Sequence, residues 1–510
     1  MIAKVKSCGL MGIDGFIVDV EVDISSGLPS FDIVGLPDAA VRESKERVRA
    51  AIKNCNLEFP VKKITINLAP AHIKKEGPSF DLPISIAILT ASEQIKIDDI
   101  DQYLFLGELS LNGELRPING TLPIAMTAYQ NGIKKIILPC QNAYEAAVVK
   151  GLEVYPASNL YDIVSHLTGE KTLDTSTVDI DSLFAINNKY NVDFCDVKGQ
   201  ENVKRALEVA AAGGHNCLMI GPPGSGKTMI AQRMPTILPD MSFEESLEVT
   251  KIHSIAGLIP QNTSLITTRP FRNPHHTISF ASLVGGGKIP KPGEISLAHF
   301  GVLFLDELPE FKKDVLEVMR QPLEDGQVTI SRVNATLTYP CSSMLIASMN
   351  PCKCGFYGDP TRECTCTPFQ IQQYLSKISG PLLDRIDIHV EVAPVKYTNL
   401  ASSQQPETSN MIKKRVDKAR KIQLERYKNH KIFSNSQLTP SLINEFCKLG
   451  DKEQKMLKLA FDRLGLSARA HSRILKVART IADLDNSNNI QSHHLAEAIQ
   501  YRSLDRKLWK

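Results

Sequence analysis

The spacing of apolar positions changes along the chain, and each change predicts a different kind of element. In residues 1–168, short runs with apolar positions spaced for strands (Phe16–Val22, Lys63–Leu68, Lys135–Leu138) alternate with the helical stretches Ala39–Asn54 and Asp81–Glu93, which reads as a mixed α/β domain. Residues 169–192 are polar and hold no period, so they predict a linker. From 193 to 397, wholly apolar runs (Cys217–Ile220, Val302–Leu305, Met344–Ser348) are followed by loops and helical stretches. Strands apolar on both faces belong in a parallel sheet covered by helices. The polar stretch Thr398–Asn410 then opens a helical region, 398–510. Ala470, Ile474, Val477, Ala478 and Ile481 fall on one stripe of a helix there, and Ser492 is placed to cap a last helix through Arg502. No internal repeat or low-complexity tract interrupts this order.

Composition narrows the class. With 510 residues, 43% hydrophobic and 23% charged, the chain can build several cores and is not disordered as a whole. No run reaches the ~18 apolar residues of a membrane span, and the first residues lack a signal-peptide pattern, so a cytoplasmic protein without membrane contact is expected. The net charge of +3 hides an asymmetry: residues 401–510 carry 22 Lys and Arg against 11 Asp and Glu. A basic end on a mildly acidic body suits a polyanionic partner, although a solvated helix face has the same composition.

Candidate chemistry starts at Gly221-Pro222-Pro223-Gly224-Ser225-Gly226-Lys227-Thr228, between an apolar run and a helical stretch. Backbone N–H groups of such a loop cradle phosphate oxygens, Lys227 neutralises the β/γ-phosphates and Thr228 holds Mg²⁺, so ATP and Mg²⁺ are the expected cofactors. The run Val302–Leu305 ends in Asp306 and Glu307. Asp306 is suited to the Mg²⁺ shell and Glu307 to polarising the attacking water. Asn350, just past the third apolar run, is placed to orient that water.

Three strand-end motifs in this order resemble AAA+ ATPases. The segments Gly293–Phe311, Asp196–Gln200, Ala211–Asn216 (AAGGHN), Arg272–Thr277 (RNPHHT) and Gly380–Val390 are similar to the magnesium-chelatase-like ComM (YifB-type) family of bacteria, over nearly the whole chain. The resemblance implies a homo-oligomeric ring, expected to be a hexamer, with ATP bound between subunits. Arg385 matches the arginine finger that reaches a neighbour's γ-phosphate; the plainer alternative is a surface ion pair with Asp384 or Asp387. Arg469 matches the sensor arginine of a C-terminal helical lid, with Arg473 one turn along as a competitor. The family implies a DNA motor for branch migration, with single-stranded and branched DNA and recombination proteins as partners. Two elements are candidates for lining its channel: the Gly-rich loop 285–293 with Lys288 and Lys291, and a hairpin over Glu324–Tyr339 with Arg332. Each is otherwise an ordinary surface loop or hairpin.

Cys352, Cys354, Cys364 and Cys366 offer four thiolates in one loop, a set suited to a structural Zn²⁺. Buried thiols or a redox pair are the alternatives. The adjacent His275 and His276 chelate poorly; one is expected to pack and the other to hydrogen-bond in its loop. In the N-terminal domain, Glu76–Leu82 (EGPSFDL) and Gly107–Gly120 resemble the nucleophile loop and the approach to the catalytic lysine of Lon-type proteases. That lysine position holds Leu122, so Ser79 has no base there, and the domain is expected to be Lon-like in fold and inactive as a peptidase. A chelatase-type motor acting on a protein partner and an ATP-dependent protease using Lys74 or Lys75 are the rival functions.

Overall fold

A computed structural model describes residues 2–97, 99–186, 190–260, 263–287, 290–332, 335–359, 362–394, 406–430, 432–464 and 467–504. The chain forms two compact units, one of residues 1–187 with 243–267 and one of residues 188–242 with 268–510.

In the first unit the alternating runs become β1 (Ile2–Met11), β2 (Asp14–Ser25), β3 (Ser30–Val34), β4 (Lys63–Ala69), β5 (Tyr103–Phe105), β6 (Lys135–Pro139) and β7 (Glu153–Ala157). They form one sheet in the order β3-β4-β2-β1-β5-β6-β7. The β1–β2 and β2–β4 pairs are antiparallel and the rest parallel. Period-two spacing does its work in β2, where Val18, Val20, Val22 and Ile24 point into the core. The expected helix 39–54 breaks at Glu43 into Ala39–Arg42 and Ser44–Asn54.

Two expectations about boundaries are corrected here. The linker 169–192 contains a helix, Ile180–Ile186, whose Leu183 and Phe184 pack against Leu122, Val148 and Leu265. The Ser176 N–H also donates to Val154 O at 2.8 Å. Its apolar stripe is under two turns long, too short for a period to show. Residues 243–267, expected within the central domain, fold with the first unit. The helix Phe243–Ala256 sends Phe243 and Leu247 onto the same cluster. Ser254 Oγ donates to the buried Glu145 carboxylate, and Gly120 N–H donates to Ser254 O at 3.1 Å. A buried carboxylate needs such donors, and the inserted helix supplies one.

The second unit is built on β8 (Cys217–Ile220), β9 (Phe271–Arg272), β10 (Val302–Leu305), β11 (Met344–Met349) and β12 (Ile388–Glu391), all parallel in the order β9-β10-β11-β8-β12. Strands β8, β10 and β11 are buried throughout, as continuous apolar runs require. The helices Glu201–Gly213, Ser409–Arg426 and Ala468–Leu484 share one core with this sheet. All five stripe residues from Ala470 to Ile481 are buried in it. The last helix runs Ser492–Gln500 and is capped by Gln491, in a reciprocal box with His494. Ser492, expected as the cap, lies one residue inside the helix and donates instead to Glu453 at 2.5 Å. Among the described residues no helix is long and apolar enough to cross a membrane.

Candidate nucleotide site

The order β9-β10-β11-β8-β12 puts the C-terminal ends of β10, β11 and β8 side by side, and the candidate residues sit on those ends. After β8 the loop turns through Gly224 (φ +78) and Gly226 (φ +88), positions that favour glycine, into the helix Lys227–Ala231. Lys227 Nζ donates to Gly221 O at 2.8 Å, Pro222 O at 2.9 Å and Asn350 Oδ1 at 3.2 Å. Burial lowers its pKa, while Asp306 and Glu307 work the other way.

Across from it, Thr228 Oγ1 donates to Asp306 Oδ2 at 2.6 Å. The hydroxyl and carboxylate proposed for Mg²⁺ are thus already in contact, and their oxygens are the hard donors this ion takes. Ser348, on β11, donates to the other oxygen, Asp306 Oδ1. Glu307 has φ +54, uncommon for a side chain of its size, and its carboxylate is half exposed. His276 Nδ1 stands 3.5 Å from Glu307 Oε2, while His275 bonds Thr277 Oγ1 at 2.9 Å. The expected division between the histidines holds for His275, whereas His276 faces the candidate base. Ser348 and His276 were not foreseen as members of this site, because they meet Asp306 and Glu307 only once the strands align.

Arg385 is largely buried. It pairs with Glu324 at 2.5 Å and donates to Arg320 O at 3.1 Å and Pro381 O at 2.6 Å. The surface pair with Asp384 or Asp387, offered as its alternative, is not what forms. Asp387 instead takes Arg473 at 2.6 Å and His215 at 3.1 Å. Burial would raise the Asp387 carboxyl, but these neighbours hold it well below the usual carboxylate range. Arg473 is thus committed to Asp387. Arg469, in the first turn of the same helix, is exposed and makes no hydrogen bond or ion pair among the described residues.

The four cysteine sulfurs lie within 4.8 Å of one another. Cys352 Sγ is 3.3 Å from Cys354 Sγ and 3.7 Å from Cys364 Sγ, and Cys354 Sγ is 3.5 Å from Cys364 Sγ. Tetrahedral zinc with bonds of about 2.3 Å sets its ligands a little under 4 Å apart, so the four sulfurs fit the ion. The loop also touches the phosphate loop: a Cβ on Gly355 would lie 2.5 Å from Pro223 Cδ.

Of the candidate channel residues, Lys291 is exposed and its strand Lys291–Pro292 pairs with Gly285–Gly286, while Lys288 lies outside the described residues. The hairpin forms as Gln327–Arg332 against Ala335–Pro340, with Arg332 at its tip-proximal pair. Tyr339 OH donates to Pro290 O at 2.8 Å, and a Cβ on Gly285 would lie 2.7 Å from Ile330 Cδ1, so loop and hairpin pack as one piece. In the first unit Leu122 is buried. The Lys75 ammonium is turned to the carbonyls of Pro70 and Ile73, and Lys74 pairs with Glu76 at 2.8 Å.

A five-stranded parallel sheet with a phosphate loop on one strand, two acids on another and a helical region sharing its core defines an ATPase of the AAA+ class. Family models agree: "Magnesium chelatase, subunit ChlI" matches residues 193–400, "Subunit ChlI of Mg-chelatase" 20–142 and "Magnesium chelatase, subunit ChlI C-terminal" 406–502. The competence protein ComM of Haemophilus influenzae is 45% identical over 100% of this chain and 99% of its own. The uncharacterized protein YifB of Escherichia coli is 45% identical over 98% of this chain and 96% of its own. Lon protease 2 of Bacillus subtilis is 26% identical over 30% of each chain. The chain belongs to the magnesium-chelatase-like AAA+ family that includes ComM and YifB.

Proposed function

We propose that this chain is an ATP-driven motor that assembles as a ring, hexameric by the family resemblance, and moves DNA through its channel. In this reading it promotes branch migration and the integration of single-stranded DNA during recombination and natural transformation. The observation that carries the ATP-driven part is the meeting of Lys227, Thr228, Asp306, Glu307 and Asn350 at three adjacent strand ends. Support for DNA comes from the full-length similarity to a competence protein and from the packed loop-and-hairpin module with its exposed Lys291.

In the proposed cycle the loop amides and Lys227 bind the triphosphate, the ammonium leaving its loop carbonyls for phosphate oxygens. Thr228 and Asp306 would hold Mg²⁺, which would supply charge neutralisation for the phosphates. Glu307 takes the proton of the attacking water while Asn350 orients it. Arg385 leaves Glu324 to reach the neighbouring subunit's γ-phosphate, which ties turnover to movement between subunits, and Arg469 closes the lid on bound nucleotide. Lys288, Lys291 and Arg332 track the DNA backbone. Cys352, Cys354, Cys364 and Cys366 would hold zinc, which would stiffen the loop behind Pro223. We read the first unit as inactive as a peptidase, a reading supported by the apolar Leu122, by Lys75 facing carbonyls and by Lys74 pairing with Glu76.

The test is ATP hydrolysis with and without single-stranded and branched DNA, followed by movement of a synthetic four-way junction. DNA-stimulated hydrolysis and junction movement are expected, both lost in Lys227→Ala. Hydrolysis indifferent to DNA but stimulated by a protein partner would favour the chelatase-type reading instead.

A further inference from the structure

The segment Gly213-Gly214-His215-Asn216 joins the helix Glu201–Gly213 to β8, and the side chains of His215 and Asn216 are each held by two hydrogen-bond partners. His215 is fully buried. One ring nitrogen meets Asp387 Oδ2 at 3.1 Å and the other meets Thr480 Oγ1 at 2.8 Å. Room for that ring exists only because residue 213 lacks a side chain: a Cβ there would lie 2.2 Å from His215 Nε2 and 2.5 Å from Thr480 Oγ1. Gly214 makes the turn at φ +70. Asn216 Nδ2 donates to Arg385 O at 3.0 Å, its Oδ1 accepts from Leu345 N at 2.8 Å, and its carbonyl accepts from Asp387 N and Ile388 N, both at 3.1 Å.

Both residues therefore grip the backbone and carboxylate just after Arg385. The lid grips the same place from the other side. Arg473 Nη1 donates to Asp387 Oδ1 at 2.6 Å, and Arg502 Nη1 donates to Ile386 O at 2.6 Å. Arg473 lies one turn from Arg469 on a single helix, and Thr480 lies two turns further along it. Arg385 and the helix carrying Arg469 are thus linked through Asp387, two residues after Arg385, and its bond to Arg473.

We propose that Asp387, braced by His215 and Asn216, is a positioning residue that locks Arg385 to the lid helix carrying Arg469, so that the two arginines engage nucleotide as one piece. This rests on the reading of Arg385 as the arginine donated to a neighbouring subunit. Nucleotide bound against the lid of one subunit then sets the arginine that the same subunit offers to the next, which is the link a cooperative ring needs.

The experiment uses the full-length chain carrying Asp387→Asn, which keeps the shape but removes the charge that holds Arg473, and Asn216→Ala, which removes the amide donor to Arg385 O and the acceptor of Leu345 N–H. Arg385→Ala is assayed beside them. Folding is followed by circular dichroism, binding with a fluorescent ATP analogue, and turnover across ATP concentration. Both positioning variants are expected to bind the analogue within about threefold of the unsubstituted chain, while kcat falls about tenfold or more and the Hill coefficient drops toward one. A role in structure alone would lower stability and leave the Hill coefficient of the folded protein unchanged. If Arg385→Ala is slow while the folded positioning variants keep both kcat and cooperativity, the proposal is overturned and the arginine reading stands. If Arg385→Ala turns over normally, the arginine reading itself fails. Should Asp387→Asn not fold, Asn216→Ala decides alone.

Discussion

The ammonium of Lys227 rests on two loop carbonyls and on Asn350, so it is held in place by acceptors weaker than a phosphate. Lys227→Ala removes the cation and is expected to weaken ATP binding by tenfold or more, about 1.4 kcal/mol per factor of ten, read by titration with a fluorescent analogue. Glu307 stands apart on a left-handed residue with its carboxylate half exposed. Glu307→Gln keeps the shape and loses the base: binding persists, hydrolysis falls by about 10²-fold or more, and release from DNA slows. Normal turnover by this variant would remove Glu307 from its role. Ser348 and His276 show where sequence reading stops. Lys227 and Thr228, like Asp306 and Glu307, stand next to each other in the chain and announce themselves by spacing. Ser348 reaches Asp306 and His276 reaches Glu307 across neighbouring strands or loops, and no spacing encodes that. The buried pairing of Arg385 with Glu324 was hidden for the same reason, since closer acids in the sequence drew the expectation.

At the level of elements, the cysteine loop and the phosphate loop are in van der Waals contact through Gly355 and Pro223. Gly355 has φ +89 and no room for a methyl group, so Gly355→Ala has to push the cysteine loop and the phosphate loop apart. A raised Kd for ATP with little change in the far-ultraviolet circular dichroism spectrum is the expected result. Metal analysis should find about one zinc per chain, and its removal by a chelator should lower the melting temperature and raise the Kd for ATP together. A chain free of zinc that binds ATP unchanged would sink the structural-metal reading. Tyr339→Phe removes the hydroxyl bond from hairpin to Gly-rich loop, and should reduce DNA stimulation of hydrolysis while sparing DNA-free hydrolysis. Long apolar runs and the stripe from Ala470 to Ile481 made β8, β10, β11 and the lid helix legible. The helices Ile180–Ile186 and Phe243–Ala256 are not legible in the sequence, because what locates them is docking: Leu183, Phe184 and Leu247 on one cluster, and Ser254 on Glu145.

For the whole molecule, the two units call for different accounts. The first has Lon-like similarity, but Lys75 is turned to carbonyls and Leu122 is buried; if the unit is inactive as a peptidase, as proposed, added peptide substrates should remain uncut with or without ATP. The second carries a nucleotide site whose own chain supplies the phosphate loop, both acids and Asn350, while its Arg385 is turned to Glu324. If that arginine serves the adjoining subunit, two inactive variants should repair one another. Lys227→Ala chains and Arg385→Ala chains, each inert alone, would be mixed and assayed for DNA-stimulated ATP hydrolysis. Activity that returns in the mixture is the expected result, because an Arg385→Ala chain binds ATP and receives a sound arginine from its Lys227→Ala neighbour. A mixture as inert as its parts, or full hydrolysis by Arg385→Ala alone, would contradict a shared site.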